Sequence, residues 1–93
     1  MQNEAGKGLA EIRKELKELL VENLALEGVT PGDIKDDEVL FGEGLGLDSL
    51  DAVEIVVLLQ RTYGLEIANE GQAREVFKSL DTLAVWVYER VKQ

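Results

Sequence analysis

A serine stands where a glycine-rich loop gives way to an apolar segment, in the stretch GLGLDSLDAVEIV over residues 44–56. A serine hydroxyl that acts as a nucleophile needs a base to take its proton, most often a histidine. The chain has no histidine, and the lysines nearest to Ser49 in sequence are Lys35 and Lys78. The sequence therefore offers no local support for a serine hydrolase.

Acidic residues cluster upstream of this serine and raise the question of a bound cation. Residues 33–38 hold four acids, but the EF-hand order D-x-[DN]-x-[DN]-G does not occur there. The chain also has no cysteine, which excludes disulfides and zinc–thiolate sites. The residue pattern therefore predicts no dedicated metal site.

Two roles for Ser49 remain open. It can be an ordinary first-turn residue of a helix capped by Asp48. It can also be a point of covalent attachment, because a first-turn serine is exposed and needs no base when another enzyme does the chemistry. A phosphodiester there is expected to lie over free backbone N–H groups at the positive end of the helix dipole.

The segment after Ser49 must form the element that positions it. The letters AVEIVVLL are rich in β-branched residues and would also suit a buried strand. The Asp48 cap, the interrupting Glu54 and the length favour a helix over residues 49–62, which Gly64 ends. Its core-facing stripe is predicted to consist of Val53, Val56, Leu59 and Tyr63, widened by Ala52 and Ile55.

The remaining pattern is also helical. Leucines and one isoleucine at spacings of three and four predict an amphipathic helix over residues 5–25, stopped by Gly28 and Pro31. A loop follows over residues 26–47, with a short helical turn in TPGDI. It is unusually apolar and is expected to lie pinned across the helices. A short third helix is predicted over residues 69–77 and a fourth, capped by Asp81, over residues 81–91.

Composition limits the class of protein. The 93 residues suggest one domain, residues 1–93, and the apolar fraction of 45% is typical of a globular chain. No apolar run is long enough to span a bilayer and the first residues do not resemble a signal peptide, so we expect a cytoplasmic protein.

The charge is unevenly distributed. Residues 27–54 hold nine acids against Lys35 alone, a net charge of −8 within a total of −9. Such a stretch is either a solvated loop or a docking surface for basic partners, and it disfavours nucleic acid.

At the serine, the sequence resembles the acyl carrier protein family. The family motif G-x-D-S-L-[DE]-x-V-E reads Gly46-Leu47-Asp48-Ser49-Leu50-Asp51-Ala52-Val53-Glu54 here. The resemblance extends over nearly the whole chain and implies an all-α four-helix bundle of acyl carrier type, with a long first loop and a short third helix. It implies a carrier that is not itself an enzyme, monomeric and without metal.

By this resemblance, Ser49, flanked by Asp48 and Leu50, is the attachment site of 4′-phosphopantetheine, which a phosphopantetheinyl transferase moves from coenzyme A. The arm carries acyl groups as thioesters between synthases, ligases or transferases with basic docking patches. The family can also shelter acyl chains between its helices, although plain core is the alternative role for each such residue. The residues expected to line that space are Val56, Leu59, Ile67, Val76 and Phe77.

The docking ridge is expected to run along the second helix through Asp51, Glu54, Val57 and Arg61, which follow one another at spacings of three and four. The chain departs from the family pattern at Gln60 and Arg61, where many fatty-acid carriers have acids, at Ala68, where proline is usual, and at Trp86. The first departure suggests a specialised carrier for a fatty-acid, lipid or polyketide pathway. The alternative function is an unmodified helical protein-interaction module.

Overall fold

The computed structural model describes residues 8–24 and 26–91, and over these residues the chain is all-helical. A 3₁₀ turn, Pro31–Asp33, lies in the long loop after the first helix, and two isolated bridges take the place of any strand in the described part. The predicted fold class is therefore confirmed. Residues 5–7 and 25 of the predicted first helix lie outside the described residues. The four helices are α1 (Leu9–Asn23), α2 (Ser49–Tyr63), α3 (Glu70–Val76) and α4 (Leu80–Val91).

The ends of α2 and α3 follow from local sequence signals. Gly64 adopts a left-handed conformation (φ 70°), and its N–H donates to the Gln60 carbonyl at 3.0 Å, which closes α2. The Asn69 side chain accepts a hydrogen bond from the Gln72 N–H at 2.9 Å and opens α3. The helical prediction for AVEIVVLL is confirmed, and α3 begins one residue after its predicted start, with Asn69 as its cap.

The predicted cap of α4 is wrong. Asp81 lies inside the first turn, and the helix begins at Leu80. The Ser79 hydroxyl accepts from the Thr82 N–H at 3.1 Å, and the Thr82 hydroxyl accepts from the Ser79 N–H at 3.0 Å. Asp81 instead accepts hydrogen bonds from Arg13 of α1 at 3.1 and 3.2 Å. The cap of α4 is therefore Ser79, two positions before the predicted residue.

We expect Ser79→Ala to lower the free energy of unfolding by about 1 kcal/mol, because it leaves the Thr82 N–H at the start of α4 without its acceptor. Urea denaturation followed by helical circular dichroism measures the change. An Ala variant as stable as the wild type would contradict the assignment of Ser79 as the cap.

The core lies between α1, α4 and the inner faces of α2 and α3. α1 packs most extensively against α4. No buried polar or charged residue is found among residues 8–24 and 26–91, so apolar burial is the dominant source of stability in this part of the chain. The core consists of Ile12, Leu16, Leu20, Ile34, Leu40, Leu47, Ile55, Leu59, Val76, Phe77, Leu80, Leu83, Ala84 and Val87.

The long loop before α2 is pinned to the helices, as its apolar residues predicted. Ile34, Leu40 and Leu47 are buried within it. The Glu38 carbonyl accepts from the Leu80 N–H at 2.8 Å and so ties the loop to the start of α4. The Phe41 ring stacks on Phe77 with 6.5 Å between centroids. The loop thus forms one wall of the core.

Polar contacts on α1 hold the surrounding elements in register. Lys17 pairs with Asp36 of the loop at 2.8 Å, which holds the pKa of that carboxyl below its usual range. The Tyr63 hydroxyl donates to Glu15 at 2.8 Å, and burial together with this bond raises the pKa of Tyr63. These contacts connect α1 to the loop and to the end of α2.

Candidate functional site

Ser49 is the first residue of α2 and is exposed. Within residues 8–24 and 26–91, no hydrogen bond to its hydroxyl is found. The residue before the cap, Leu47, is only 5% exposed, and its N–H donates to the Leu40 carbonyl at 3.1 Å. An anchored loop and a capped helix therefore present a free hydroxyl to solvent.

The start of α2 is closed by reciprocal hydrogen bonds. Asp48 Oδ1 accepts from the N–H groups of Leu50 at 3.1 Å and Asp51 at 3.2 Å. Asp51 Oδ2 in turn accepts from the Asp48 N–H at 3.0 Å. This pattern is a capping box, and it stabilises the helix start by about 1 kcal/mol.

The expectation that a phosphate on Ser49 would meet free N–H groups is wrong for two of them. The Asp48 carboxylate already occupies the N–H groups of Leu50 and Asp51. The carboxylates of Asp48 and Asp51 are both held at the start of α2, so a phosphodiester on Ser49 would meet like charge there. We therefore expect a charged group attached to Ser49 to extend away from the start of α2.

The solvent face of α2 is more apolar than the sequence suggested. Leu50 is 78% exposed, Val53 62% and Val57 38%. Val53 was predicted to face the core, and that prediction is wrong. The buried face instead contains Ile55, Leu58 and Leu59. Val53 follows Leu50 by three residues and precedes Val57 by four, so these three residues share one face of the helix.

The predicted docking residues differ in whether their charged side chains make contacts inside the fold. Glu54 and Arg61 are exposed, and neither makes an ion pair or side-chain hydrogen bond within the described ranges 8–24 and 26–91. Asp51 is half-buried, and one of its oxygens serves the capping box. Asp51 thus has a structural role in addition to any docking role, whereas the charges of Glu54 and Arg61 are unused by the fold.

The residues expected to shelter an acyl chain all belong to the core or its edge. Leu59, Val76 and Phe77 are buried, and Val56 and Ile67 are partly buried and pack against the core. Val76 also lines an open groove beside Trp86 on the α3–α4 surface. The Arg90 guanidinium lies 4.1 Å from the centre of the Trp86 ring. The indole N–H is buried, and among residues 8–24 and 26–91 it has no hydrogen-bond partner.

Over residues 8–24 and 26–91, no three acidic side chains come close enough together to hold a metal ion. In the same part of the chain, no helix combines the length and apolarity needed to cross a bilayer.

Salt is expected to raise the melting temperature. The acidic side chains of residues 27–54, which give this stretch a net charge of −8, repel one another. At 0.01 M salt the Debye length is about 30 Å, so this repulsion is weakly screened. Only some of these acids have a cation nearby, as Asp36 has Lys17. Thermal unfolding followed between about 10 mM and about 300 mM NaCl measures the effect. A melting temperature indifferent to salt would count against this repulsion.

Comparison with known proteins defines the class. The family model described as "Phosphopantetheine attachment site" matches residues 11–84, which include most of α1, all of α2 and α3, and the serine. An all-helical chain with a capped, exposed serine fits that class.

The chain belongs to the acyl carrier protein family. It is 41% identical over 56 residues to the acyl carrier protein of Sulfurovum sp. (strain NBC37-1), covering 60% of this chain and 69% of that protein. It is 43% identical over 56 residues to the acyl carrier protein of Wolinella succinogenes, covering 60% and 68%. It is thus a carrier that bears phosphopantetheine and not itself an enzyme.

Proposed function

We propose that Ser49 carries the 4′-phosphopantetheine arm and that the protein shuttles acyl groups between enzymes of a specialised fatty-acid, lipid or polyketide pathway in the cytoplasm. The observation that supports this most directly is the free, exposed hydroxyl of Ser49 at the capped start of α2. The arm supplies a terminal thiol on which acyl groups are held as thioesters. The absence of cysteine from the chain is consistent with an imported thiol.

The residues around Ser49 fit an attached arm. The carboxylates of Asp48 and Asp51 cap the start of α2 by accepting hydrogen bonds from backbone N–H groups. The Ser49 hydroxyl takes no part in this cap. Leu50, 78% exposed, offers an apolar contact beside the attachment point to an enzyme that approaches it. The flanking carboxylates favour an extended arm, and a tethered group that extends into solvent gains a high effective concentration at each enzyme it visits.

Docking is proposed to use the solvent face of α2. Glu54 and Asp51 provide negative charge close to the attachment point, Val57 provides apolar contact, and Arg61 lies at the far end. Charge complementarity of this kind accelerates encounter without producing tight binding, which suits a carrier that must leave each enzyme. The transferase that attaches the arm and the acyl-handling enzymes are the partners of this surface.

Acyl shelter is proposed for the space at the edge of the core between α2 and α3. Val56 and Ile67 are only partly buried and pack against the core that contains Leu59, Val76 and Phe77. An acyl chain that enters there would bury its methylenes at about 0.8 kcal/mol each, offset by the displacement of these side chains.

Arm attachment tests the function. The apo protein is incubated with coenzyme A and a phosphopantetheinyl transferase of broad specificity, and its intact mass is measured before and after. We expect the mass to rise by one arm per chain. An unchanged mass under conditions in which the Wolinella succinogenes carrier is modified would favour the unmodified interaction module.

A further inference from the structure

The solvent face of α2 carries charges of both signs in a fixed order. Asp51 and Glu54 lie in its first two turns, whereas Arg61, in its last turn, is the one basic residue of the helix. Arg61 lies seven positions after Glu54, which is about 10 Å along a helix that rises 1.5 Å per residue. The face therefore has an acidic end beside Ser49 and a basic end about two turns away.

An apolar stripe joins the two ends. Leu50, Val53 and Val57 are exposed and follow one another at spacings of three and four. Large exposed apolar residues that cluster with free charges mark interaction surfaces more often than the same residues scattered singly. The stripe therefore provides the contact area, and the two charged ends provide its polarity.

Arg61 is not used inside the fold. It is exposed, and over residues 8–24 and 26–91 no carboxylate pairs with it. A cation in the last turn does interact favourably with the helix dipole, typically by about 0.3–1 kcal/mol. That contribution concerns stability alone and predicts no effect on how a partner is oriented, so the two roles can be separated by experiment.

We propose that the protein surface that docks on α2 carries basic groups opposite Asp51 and Glu54, an apolar centre, and a carboxylate opposite Arg61. Reversing such a partner on α2 would bring like charges together at both ends, so the charge order selects one docking orientation. A partner that is basic throughout meets repulsion at Arg61. This inference rests on the proposed function, because the enzyme that uses the arm must approach α2 beside Ser49.

The test uses a synthetic helical peptide of about 16 residues, long enough to hold helical structure when alanine-rich. It carries glutamates in its first turn, leucines in its middle and lysines in its last turn, which suits the helix dipole, with a nitroxide label on a cysteine at one end or the other. Because the protein has no cysteine, the label stays on the peptide. The broadening of ¹⁵N-labelled amide resonances then reports which end of the peptide lies near which end of α2.

The label at the lysine end is expected to broaden residues 49–54 about two- to fivefold more than residues 59–63, with the opposite pattern for the label at the glutamate end. Arg61→Glu should abolish this preference and Arg61→Gln should reduce it, so the result does not depend on one variant folding. Lys78→Glu is the matched control, because it makes the same change of formal charge at an exposed residue outside α2.

Three results would overturn the inference: no peptide bound to the wild type, equal broadening at both ends of α2 by both labels, or an unchanged preference in Arg61→Glu. Arm attachment is measured by intact mass on the same variants. If the arm is still attached while the orientation preference is absent, the docking inference fails and the carrier assignment stands. If the arm is never attached, the proposed function fails whatever the peptide shows.

Discussion

Ser49→Ala is expected to abolish attachment of the arm while the helices stay folded. Attachment requires a hydroxyl at the start of α2, and alanine has none. The fold should tolerate the change, because Asp48 provides the cap and no hydrogen bond to the Ser49 hydroxyl is found in the described part of the chain. Ala is also the better helix former by roughly half a kcal/mol. Intact mass after incubation with coenzyme A and transferase measures attachment, and circular dichroism measures folding.

The second serine of the chain is the matched control. Ser79 is the one other serine in the sequence, and it caps α4. Ser79→Ala should lose stability but still gain the arm, whereas Ser49→Ala should keep stability and gain no arm. An arm found on the Ser49→Ala variant would place the attachment site elsewhere.

Gly44→Ala is expected to destabilise the loop that leads to Ser49. A Cβ built on Gly44 would collide with the Val39 carbonyl group and crowd its side chain. The same carbonyl accepts from the Leu45 N–H at 2.9 Å, so it cannot move away without the loss of that bond. Overpacking of this kind costs about 1–3 kcal/mol. In a domain of this size each kcal/mol lowers the melting temperature by about 4–8 °C, which calorimetry measures.

Gly32→Ala separates this collision from a general effect of replacing glycine. A Cβ at Gly32 would meet its nearest atom, Thr30 Oγ1, at an ordinary 3.8 Å. We expect a change in unfolding free energy within about 0.5 kcal/mol. Equal destabilisation by the two substitutions would show that the close approach of Gly44 to Val39 does not matter.

The local features of the fold were open to prediction from sequence, because their causes lie within a few residues. Asp48 and Asn69 cap helices through N–H groups two or three positions away, and Gly64 ends α2 by its own conformation. The pinned loop was predictable for a related reason. Leaving apolar residues such as Leu40 and Leu47 in water is unfavourable, so the loop is expected to bury them against the helices. The position of Ser49 at an exposed helix start followed from the same signals.

The sequence by itself determined the helical class, the capped start of α2 and the place of Ser49 upon it. Only the tertiary structure decided which valines of α2 are exposed, because apolar side chains surround that helix and the packing of neighbouring elements selects the buried face. Likewise, only the fold brings Asp81 beside Arg13, which is distant in sequence. The close approach of Gly44 to Val39 depends on the path of the folded loop, so it could not be predicted from the residue types alone.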